Sequence, residues 1–506
     1  MMYSKDKRGD YVVSLGIDIG GTGCKCVAFC ADGTQLAIAY REYPLTAGQV
    51  NLPAEMLTDC VFQVIEECVK QLPDTKAVAA ITVSSFGESF VAVDKDGKAL
   101  TDILLYFGNT ESEEFTHLVQ TVGEEKFMGI TKILPDASYS LSKMLYTRKV
   151  AERPVWKYLF IAGYITYRLT GKACADVSLA CRSLLYDVEN RCWSKELLEL
   201  CGISGDTLPD VLPTGGKVGD LLPDFAEKLG LSKNVQVVMG AHDQIVNALG
   251  AGVQNIGDAV DTSGTCECLT PLFGAIPQSL DFQKNNFACV PYMDTDGFVT
   301  YAYNISAGSV VKWYRDALAA HLGAEAAAQN KSIYDLLNEQ CPDKPTSLMI
   351  LPFLQGMGGT PDMDARATGL IAGLTTQTRL PDIYRGILEG ITFEMRYNQE
   401  KLGENGVKIT KLYACGGGAK SPAWLQIKAD ILGCKVITVK AEETGAMGSA
   451  ILGIAAVTDE DPFKVGERFW QYGQTVEPNA ENRAIYDQRY EVYKALRRLY
   501  LGRRRK

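Results

Sequence analysis

An aspartate and three glycines stand close together near the start of the 506-residue chain. The segment GIDIGGT (16–22) and the following Gly23 combine the carboxylate of Asp18 with glycine backbone and the hydroxyl of Thr22. Glycine lets backbone N–H groups approach phosphate oxygens, and a carboxylate can hold a divalent cation beside them. The segment therefore predicts a phosphate cradle, although a tight hairpin that needs glycine for positive φ explains the same pattern.

A second carboxylate, Asp243, ends a strand-like apolar run in the segment GAHDQ (240–244) and precedes a helical stretch. We expect it at the mouth of a cleft, where an aspartate can accept the proton of a hydroxyl that attacks phosphorus. The alternative is that Asp243 only caps the following helix. We expect the neighbouring His242 to have a structural role.

Two more glycine-containing segments suit contacts with a nucleotide. TSGT (262–265) offers hydroxyl and backbone donors for phosphate, and GGG (416–418) follows a predicted strand where a flat base can lie over backbone. Each segment is also explained by an ordinary turn. The chain has no GxxxxGK followed by Ser or Thr, and no GxGxxG between a strand and a helix, so a nucleotide must be bound in another way.

The elements that carry these residues suggest a duplicated α/β architecture. Residues 12–30 and residues 257–270 both predict a hairpin with a glycine-rich turn, and strands alternate with helices after the first of them. We infer two related halves joined near residues 250–257, with the ligand in the cleft between them. Residues 111–203 predict an inserted helical layer, and residues 482–501 predict an amphipathic packing helix.

Composition excludes several other functions. The 51 Lys and Arg against 61 Asp and Glu give a net charge of −10, which argues against a nucleic-acid partner. No run of about 18 apolar residues predicts a membrane span, and the charged N-terminus does not resemble a signal peptide. Fifteen Cys, an odd number, and only three His fit reduced thiols in a cytoplasmic protein and argue against a zinc site.

Taken in order, these segments resemble the motifs of the FGGY family of carbohydrate kinases. The resemblance covers residues from about 11 to 500. It rests on GIDIGGT (16–22), SYSLSKMLY (138–146), GAHDQ (240–244), TSGT (262–265), SAGS (306–309), WYRD (313–316), GLIAGL (369–374) and GGG (416–418). Two positions depart from the family pattern. Tyr146 stands where Trp is usual, and Gly386, in the second signature that continues from GLIAGL (369–374) to Glu389, stands where Ala or Ser is expected.

The resemblance implies two actin-like, ribonuclease-H-like α/β domains with a central cleft for ATP and a sugar. Residues 1–254 would form the sugar-binding domain and residues 255–506 the nucleotide-binding domain. Asp243 would be the general base and would also contact the sugar. The other implied roles are Asp18 with Asp243 for Mg²⁺, Gly21, Thr22, Gly264 and Thr265 for the phosphates, and Gly308, Gly417 and Gly418 for the adenosine. A homodimer is a further expectation, since dimers are common among such relatives.

The sugar site departs from the family pattern. YFGNT (106–110) lacks the acid and the base of the usual aromatic-x-Asp-x-Arg segment, and SSFGES (84–89) keeps only Glu88 of the residues expected there. Glu88 and Tyr106 are the candidate sugar contacts, with a solvated turn as the alternative for Glu88. The layout favours a xylulose-like ketose or a polyol. The alternatives are a sugar-responsive regulatory protein on the same fold and an actin-like ATPase.

Overall fold

The computed structural model describes residues 12–46, 48–105 and 113–502. The strands of the N-terminal half are β1 (Val13–Ile19), β2 (Gly23–Cys30), β3 (Gln35–Glu42), β4 (Asn51–Leu52), β5 (Val78–Ser85), β6 (Phe90–Val93), β7 (Ile103–Leu104), β8 (Lys157–Phe160), β9 (Cys174–Asp176), β10 (Tyr186–Asp187), β11 (Cys192–Trp193), β12 (Asp210–Leu212), β13 (Lys217–Asp220) and β14 (Gln236–His242). Its helices are α1 (Ala54–Lys70), α2 (Glu113–Val122), α3 (Glu124–Thr131), α4 (Ser140–Val150), α5 (Ile161–Thr170), α6 (Val177–Cys181), α7 (Lys195–Cys201), α8 (Pro223–Lys228) and α9 (Asp243–Ala251).

The C-terminal half repeats the mixture of strands and helices. Its strands are β15 (Asp258–Ser263), β16 (Glu267–Phe273), β17 (Val290–Pro291), β18 (Phe298–Val299), β19 (Ala302–Asn304), β20 (Met349–Leu351), β21 (Leu370–Ala372), β22 (Lys411–Gly416), β23 (Lys435–Val439) and β24 (Tyr472–Val476). Its helices are α10 (Asp281–Lys284), α11 (Gly308–Ala317), α12 (Gly323–Ala328), α13 (Ile333–Gln340), α14 (Leu380–Glu404), α15 (Pro422–Leu432), α16 (Thr444–Thr458), α17 (Pro462–Gly466) and α18 (Ala480–Gly502).

The central sheet of the N-terminal half has the strand order β13-β14-β5-β1-β2-β3. β1 runs antiparallel to β2 but parallel to β5, and β14 is also parallel to β5. The carboxyl ends of β1, β5 and β14 therefore meet at one edge of the sheet. Apolar side chains fill these strands almost continuously, because helices such as α1 and α16 cover the sheet.

The sheet of the C-terminal half is built on the same plan. Its strand order is β17-β18-β16-β15-β22-β23-β24, with β19 paired to β16. β15 is antiparallel to β16 and parallel to β22, which pairs Ser263 with Gly416. Two of the predicted glycine segments thus leave this sheet at neighbouring positions on one edge.

One helix from late in the chain packs on the N-terminal sheet. α16 lies so close to β1 that a Cβ atom on Gly16 would stand 1.9 Å from the carbonyl oxygen of Ala446, and a Cβ on Gly250 of α9 would stand 2.0 Å from that of Thr444. Glycine is required at both positions because no side chain fits between these residues and the backbone of α16. The division of the chain after residue 254 stays a prediction.

The structure confirms the main element predictions and corrects one. β1 with β2 and β15 with β16 form the two predicted hairpins, and α18 buries Tyr486, Tyr490 and Tyr493 as a packing helix. After β6 the chain turns back through residues 95–97, where an antiparallel bridge joins Val93 to Ala99, and β6 also pairs with β8. The predicted helical layer at residues 111–203 also contains the short strands β8 to β11.

Two further findings concern membrane-spanning helices and cysteines in the described part of the chain. None of its helices is long and apolar enough to cross a membrane. All fifteen cysteines fall within the described ranges and have free thiols, most of them buried, in agreement with the predicted reduced state.

Candidate active site

Asp18 stands near the carboxyl end of β1, just before the glycine-rich turn. Its pKa is raised to about 7, first by burial and then by the negative charge of Asp243. Lys25 lowers this pKa and Glu443 raises it, and these two residues form an ion pair of 2.5 Å between Nζ and Oε2. Gly445, at the start of α16, leaves room for the carboxylate, since a Cβ there would lie 2.9 Å from Oδ2 of Asp18.

Asp243 is the first residue of α9, directly after β14. Its role as the cap of this helix was a wrong alternative, because His242 is the capping residue and its Nδ1 accepts the backbone N–H of Gln244 at 3.2 Å. Nδ1 of His242 also lies 3.0 Å from Oδ1 of Asp243, but a nitrogen that accepts a hydrogen bond cannot donate one to the carboxylate. Oδ1 is buried without a hydrogen-bond partner among the described residues, whereas the Asp243 side chain as a whole is 31% exposed at the sheet edge.

His242 has the structural role that the sequence predicts. Its ring stacks on Tyr301 with 4.9 Å between ring centroids, and its backbone N–H donates to Oγ of Ser178 at 2.9 Å. These contacts fix the end of β14. They therefore also fix the position of Asp243 at the sheet edge.

Asp18 and Asp243 fit a magnesium site. The described residues contain no group of three or more Asp, Glu, His or Cys side chains that could hold a metal ion. Mg²⁺ is commonly held by only one or two carboxylates, with substrate phosphates and water as the other ligands. Two carboxylates close enough for one to raise the pKa of the other, one of them with an unpaired buried oxygen, have the chemistry of such a site.

The glycine segments of the C-terminal half line a cavity of about 710 Å³, a volume typical of small-molecule sites. Gly308 begins α11 and touches the loop after β15, because a Cβ on it would stand 2.0 Å from the carbonyl oxygen of Gly264. The backbone N–H of Ser309 donates to the carbonyl of Thr265 at 3.0 Å. The cavity brings together five predicted nucleotide residues: Gly264, Thr265, Gly308, Gly417 and Gly418.

Aromatic and polar side chains that were not predicted complete this cavity. They come from α11, α13, α14 and α15 and include Trp313, Tyr334, Asn338, Tyr384 and Trp424. Flat rings beside glycine backbone suit a nucleobase. The predicted phosphate residues Gly21 and Thr22 lie in the β1–β2 turn of the other half and are not among the described residues that line the cavity.

The two halves are joined beside the cavity. Nδ2 of Asn247, on α9, donates to Oγ1 of Thr262 at 2.6 Å, and the hydroxyl of Thr444 donates to the same asparagine. Asn247 stands one helical turn after Asp243, and Thr262 stands just before the Gly264 loop. The carboxylate edge and the glycine loops are therefore adjacent in the structure.

Glu88 is buried at the other end of this site and not solvated, so the solvated turn was wrong. Nε of Arg182 donates to its Oε1 at 2.5 Å, and Nη2 lies 2.5 Å from the same oxygen. The guanidinium stands over the rings of Tyr139 at 4.8 Å and Tyr301 at 5.2 Å. Tyr106, the other predicted sugar contact, lies outside the described residues.

Sequence reasoning missed Arg182, Lys25 and Glu443. The sequence does contain a signal for Arg182. This residue interrupts a run of apolar or small residues at 177–185, and a charged side chain buried in such a run needs a partner. Lys25 sits in a strand and Glu443 in a charged loop, and their pairing across 418 positions leaves no local trace.

Comparison with known proteins decides the family. The model of the FGGY family of carbohydrate kinases, N-terminal domain, matches residues 13–250, and that of the C-terminal domain matches residues 262–457. The chain belongs to the FGGY family of carbohydrate kinases. The kinase activity expected from the motifs is therefore confirmed at the level of the family, against a regulatory protein without activity.

The relatives of this carbohydrate kinase include enzymes with different acceptors. It is 27% identical to a xylulose kinase of Bacillus subtilis over 491 residues, and this match covers 95% of each chain. It is 28% identical over 462 residues to a gluconokinase of the same organism, covering 89% of this kinase and 88% of that protein. The solved structure of a ligand-bound xylulose kinase from Lactobacillus acidophilus superposes with a TM-score of 0.85 at 23% identity, covering 97% and 99% of the chains. This likeness confirms the predicted two-domain fold.

Proposed function

We propose that this kinase transfers the γ-phosphoryl group of ATP to a hydroxyl of a neutral ketose or polyol, with a xylulose-like ketose favoured. The observation that carries the proposal is the shared sheet edge of Asp18 and Asp243, joined through Asn247 and Thr262 to the glycine-lined cavity. This arrangement supports an acceptor beside the carboxylates and a nucleotide in the cavity, as in-line transfer requires.

Asp243 is the proposed general base. Its carboxylate, 31% exposed at the sheet edge, accepts the proton of the acceptor hydroxyl as that hydroxyl oxygen attacks the γ-phosphorus and the bond to the leaving ADP breaks. The loop of Gly264 and Thr265 supplies backbone and hydroxyl donors to the terminal phosphates. Asp18 and Asp243 would hold Mg²⁺, which supplies neutralisation of phosphate charge when bound.

The charges at the acceptor end favour a neutral substrate over a sugar acid. Arg182 directs both Nε and Nη2 to one oxygen of Glu88, so its positive charge is already balanced inside the protein. Lys143, the other nearby buried cation, has its pKa lowered to about 8 by burial and donates to the carbonyl of Ser138. Among the residues that the structure describes, a carboxylate substrate would meet Glu88 and Asp243 with the charge of Arg182 already balanced, whereas neutral hydroxyls can donate to both carboxylates.

A coupled ADP-release screen tests the proposal. Pentuloses including xylulose, hexuloses, glycerol and other polyols, and gluconate are compared at equal concentration with saturating ATP and Mg²⁺. We expect turnover with one of the neutral acceptors and little with gluconate. A preference for gluconate would overturn the neutral acceptor, and silence with every compound would overturn the proposed activity.

A further inference from the structure

A lysine with two carboxylates is buried beneath the loop at residues 264–266. Lys428 of α15 is 1% exposed, and its Nζ contacts Asp261 of β15, Ser263 of β15 and Glu267 of β16, the last at 2.7 Å. Asp261 and Glu267 are themselves 0% and 1% exposed. These four residues are named here the Lys428 cluster.

The cluster closes the base of the loop. Ser263 and Glu267 are cross-strand partners, the last pair of β15 and β16 before the chain turns. Within the turn, the N–H of Gly264 donates to the carbonyl of Cys266 at 2.8 Å. Lys428 thus bonds to both residues from which the loop projects, and it fixes the separation of the two strands there.

Ser263 also touches the second glycine segment. A Cβ on Gly416 would stand 2.7 Å from the carbonyl oxygen of Ser263, and a Cβ on Gly418 would stand 2.5 Å from its Cβ. The hydroxyl of Ser263 donates to Oδ1 of Asp261 at 3.2 Å. Ser263 therefore contacts the second glycine segment through its backbone and Cβ, whereas Lys428 contacts its hydroxyl, so the loss of Lys428 leaves the backbone contact with that segment in place.

Lys428 reaches the wall of the cavity as well. Its Nζ lies 4.6 Å from the ring centroid of Trp424, one helical turn earlier on α15, and Trp424 lines the cavity. One ammonium group thus connects the phosphate loop with an aromatic wall.

The charges of the cluster are costly to bury unless they are balanced. One cation faces two carboxylates, and burial, followed in part by the charge of Asp261, raises the pKa of Glu267 to about 8 although Lys428 lowers it. A buried ion pair of this kind contributes little net stability compared with apolar side chains, so stability alone is a weak reason for it.

We propose that Lys428 is a positioning residue that holds the 264–266 loop in the shape that receives the phosphates of ATP. The inference rests on the proposed function, in which this loop contacts the terminal phosphates. Lys428 does not itself touch the reacting atoms. Its loss should therefore weaken the binding of the phosphates and leave the nucleoside contacts largely as they are.

The test compares ATP with adenosine in the full-length protein. Lys428→Met keeps a chain of similar length without the charge, and Arg497→Met is its matched control. Arg497 is a buried cation of α18 that also serves two carboxylates, with Nε 3.0 Å from Glu394 and Nη1 2.9 Å from Asp362, and it does not line the nucleotide cavity. Dissociation constants for ATP and adenosine are measured by calorimetry, with thermal unfolding of each variant.

For Lys428→Met we expect the affinity for ATP to fall by about ten-fold or more, and that for adenosine to stay within about two-fold, because a lost charge-assisted contact displaces only the phosphate loop. Arg497→Met should lower the unfolding temperature but leave the affinities for ATP and for adenosine equally unaffected. Unchanged ATP affinity in folded Lys428→Met, or an equal loss for adenosine, would overturn the inference.

A second variant guards against misfolding. Removing Lys428 leaves the carboxyl groups of Asp261 and Glu267 together, so the double variant Lys428→Met with Glu267→Gln replaces one of them by an amide. It is measured in the same way, with the same expected contrast between ATP and adenosine. A wild type that binds ATP but phosphorylates no acceptor would refute the proposed function, while the contrast between ATP and adenosine would still decide the role of Lys428.

Discussion

Glu88 and Arg182 form a buried ion pair across 94 positions of sequence, with two guanidinium nitrogens on a single carboxylate oxygen. Glu88 has a φ of 62°, a left-handed conformation that is uncommon for residues other than glycine. Strained backbone of this kind persists only where the surroundings hold it. Here the surroundings are Arg182 and the two tyrosines that flank its guanidinium. We propose that this pair lies at the acceptor end of the site.

Replacement of Glu88 by Gln should therefore change the handling of the acceptor and not of ATP. The amide keeps the shape but leaves the guanidinium of Arg182 unbalanced and weakens acceptance of a substrate hydroxyl. We expect the KM for the best acceptor to rise by about ten-fold, with the KM for ATP within about two-fold, in steady-state kinetics. Glu460→Gln, which breaks a more exposed ion pair with Arg468, is the control. Equal changes in both KM values would speak against an acceptor role.

Replacement of Asp243 by Asn should remove the general base and leave the nucleotide cavity unchanged. We expect kcat to fall by about 10² to 10⁴, the range that general base catalysis contributes, with the affinity for ATP largely retained. Turnover is measured by coupled ADP release and binding by calorimetry. Asp59→Asn, on the exposed face of α1, is the matched control and should keep full turnover. An active Asp243→Asn variant would remove Asp243 from the mechanism.

Two glycines of the cavity should respond differently to alanine. A methyl on Gly308 would collide with the carbonyl oxygen of Gly264, whereas the nearest atom to a methyl on Gly417 is 3.9 Å away. We expect Gly308→Ala to cost about 1 to 3 kcal/mol of folding free energy, as overpacking does. Gly417→Ala should unfold like the wild type but bind ATP more weakly, because its methyl enters the cavity. Thermal unfolding and calorimetry of the two variants distinguish these effects, and a destabilised Gly417→Ala would contradict the assignment.

The proton on Glu267 predicts a pH dependence of stability. Its pKa is raised by burial to about 8 in the folded protein and is near the ordinary glutamate value of 4.5 in the unfolded chain, so between these pH values the folded state keeps a proton that the unfolded state has lost. The contribution of this group to stability is fully present below pH 4.5 and is lost as the pH rises towards 8. Lys428 and Asp261 are the charged groups that face it.

Glu267→Gln has no such proton to lose and tests this directly. Relative to the wild type, the variant should gain unfolding free energy between pH 5 and pH 8, by at most about 1.4 kcal/mol per pH unit. Denaturant unfolding at several pH values measures the difference. Parallel curves for the two proteins would show that Glu267 is ionised in the folded state at all these pH values.

The sequence by itself determined the family, the two glycine-rich hairpins and the carboxylates Asp18 and Asp243. These features are local: a turn needs glycine at fixed positions, and a strand end is marked by the residues that follow its apolar run. The glycines of three separate segments that the sequence predicts as nucleotide contacts line one cavity, whereas Gly21 and Thr22 do not line it. Their contact with a nucleotide stays a prediction.

Only the tertiary structure decided which charges face each other. The ion pairs join residues that lie 94 to 418 positions apart in the sequence. They are Arg182 with Glu88, Lys428 with Asp261 and Glu267, and Lys25 with Glu443. Their pairing follows from strand order and from the packing of α15 and α16, which no local pattern encodes. A buried charge must have a partner, so the sequence could indicate that a partner exists, but only the fold could supply its identity.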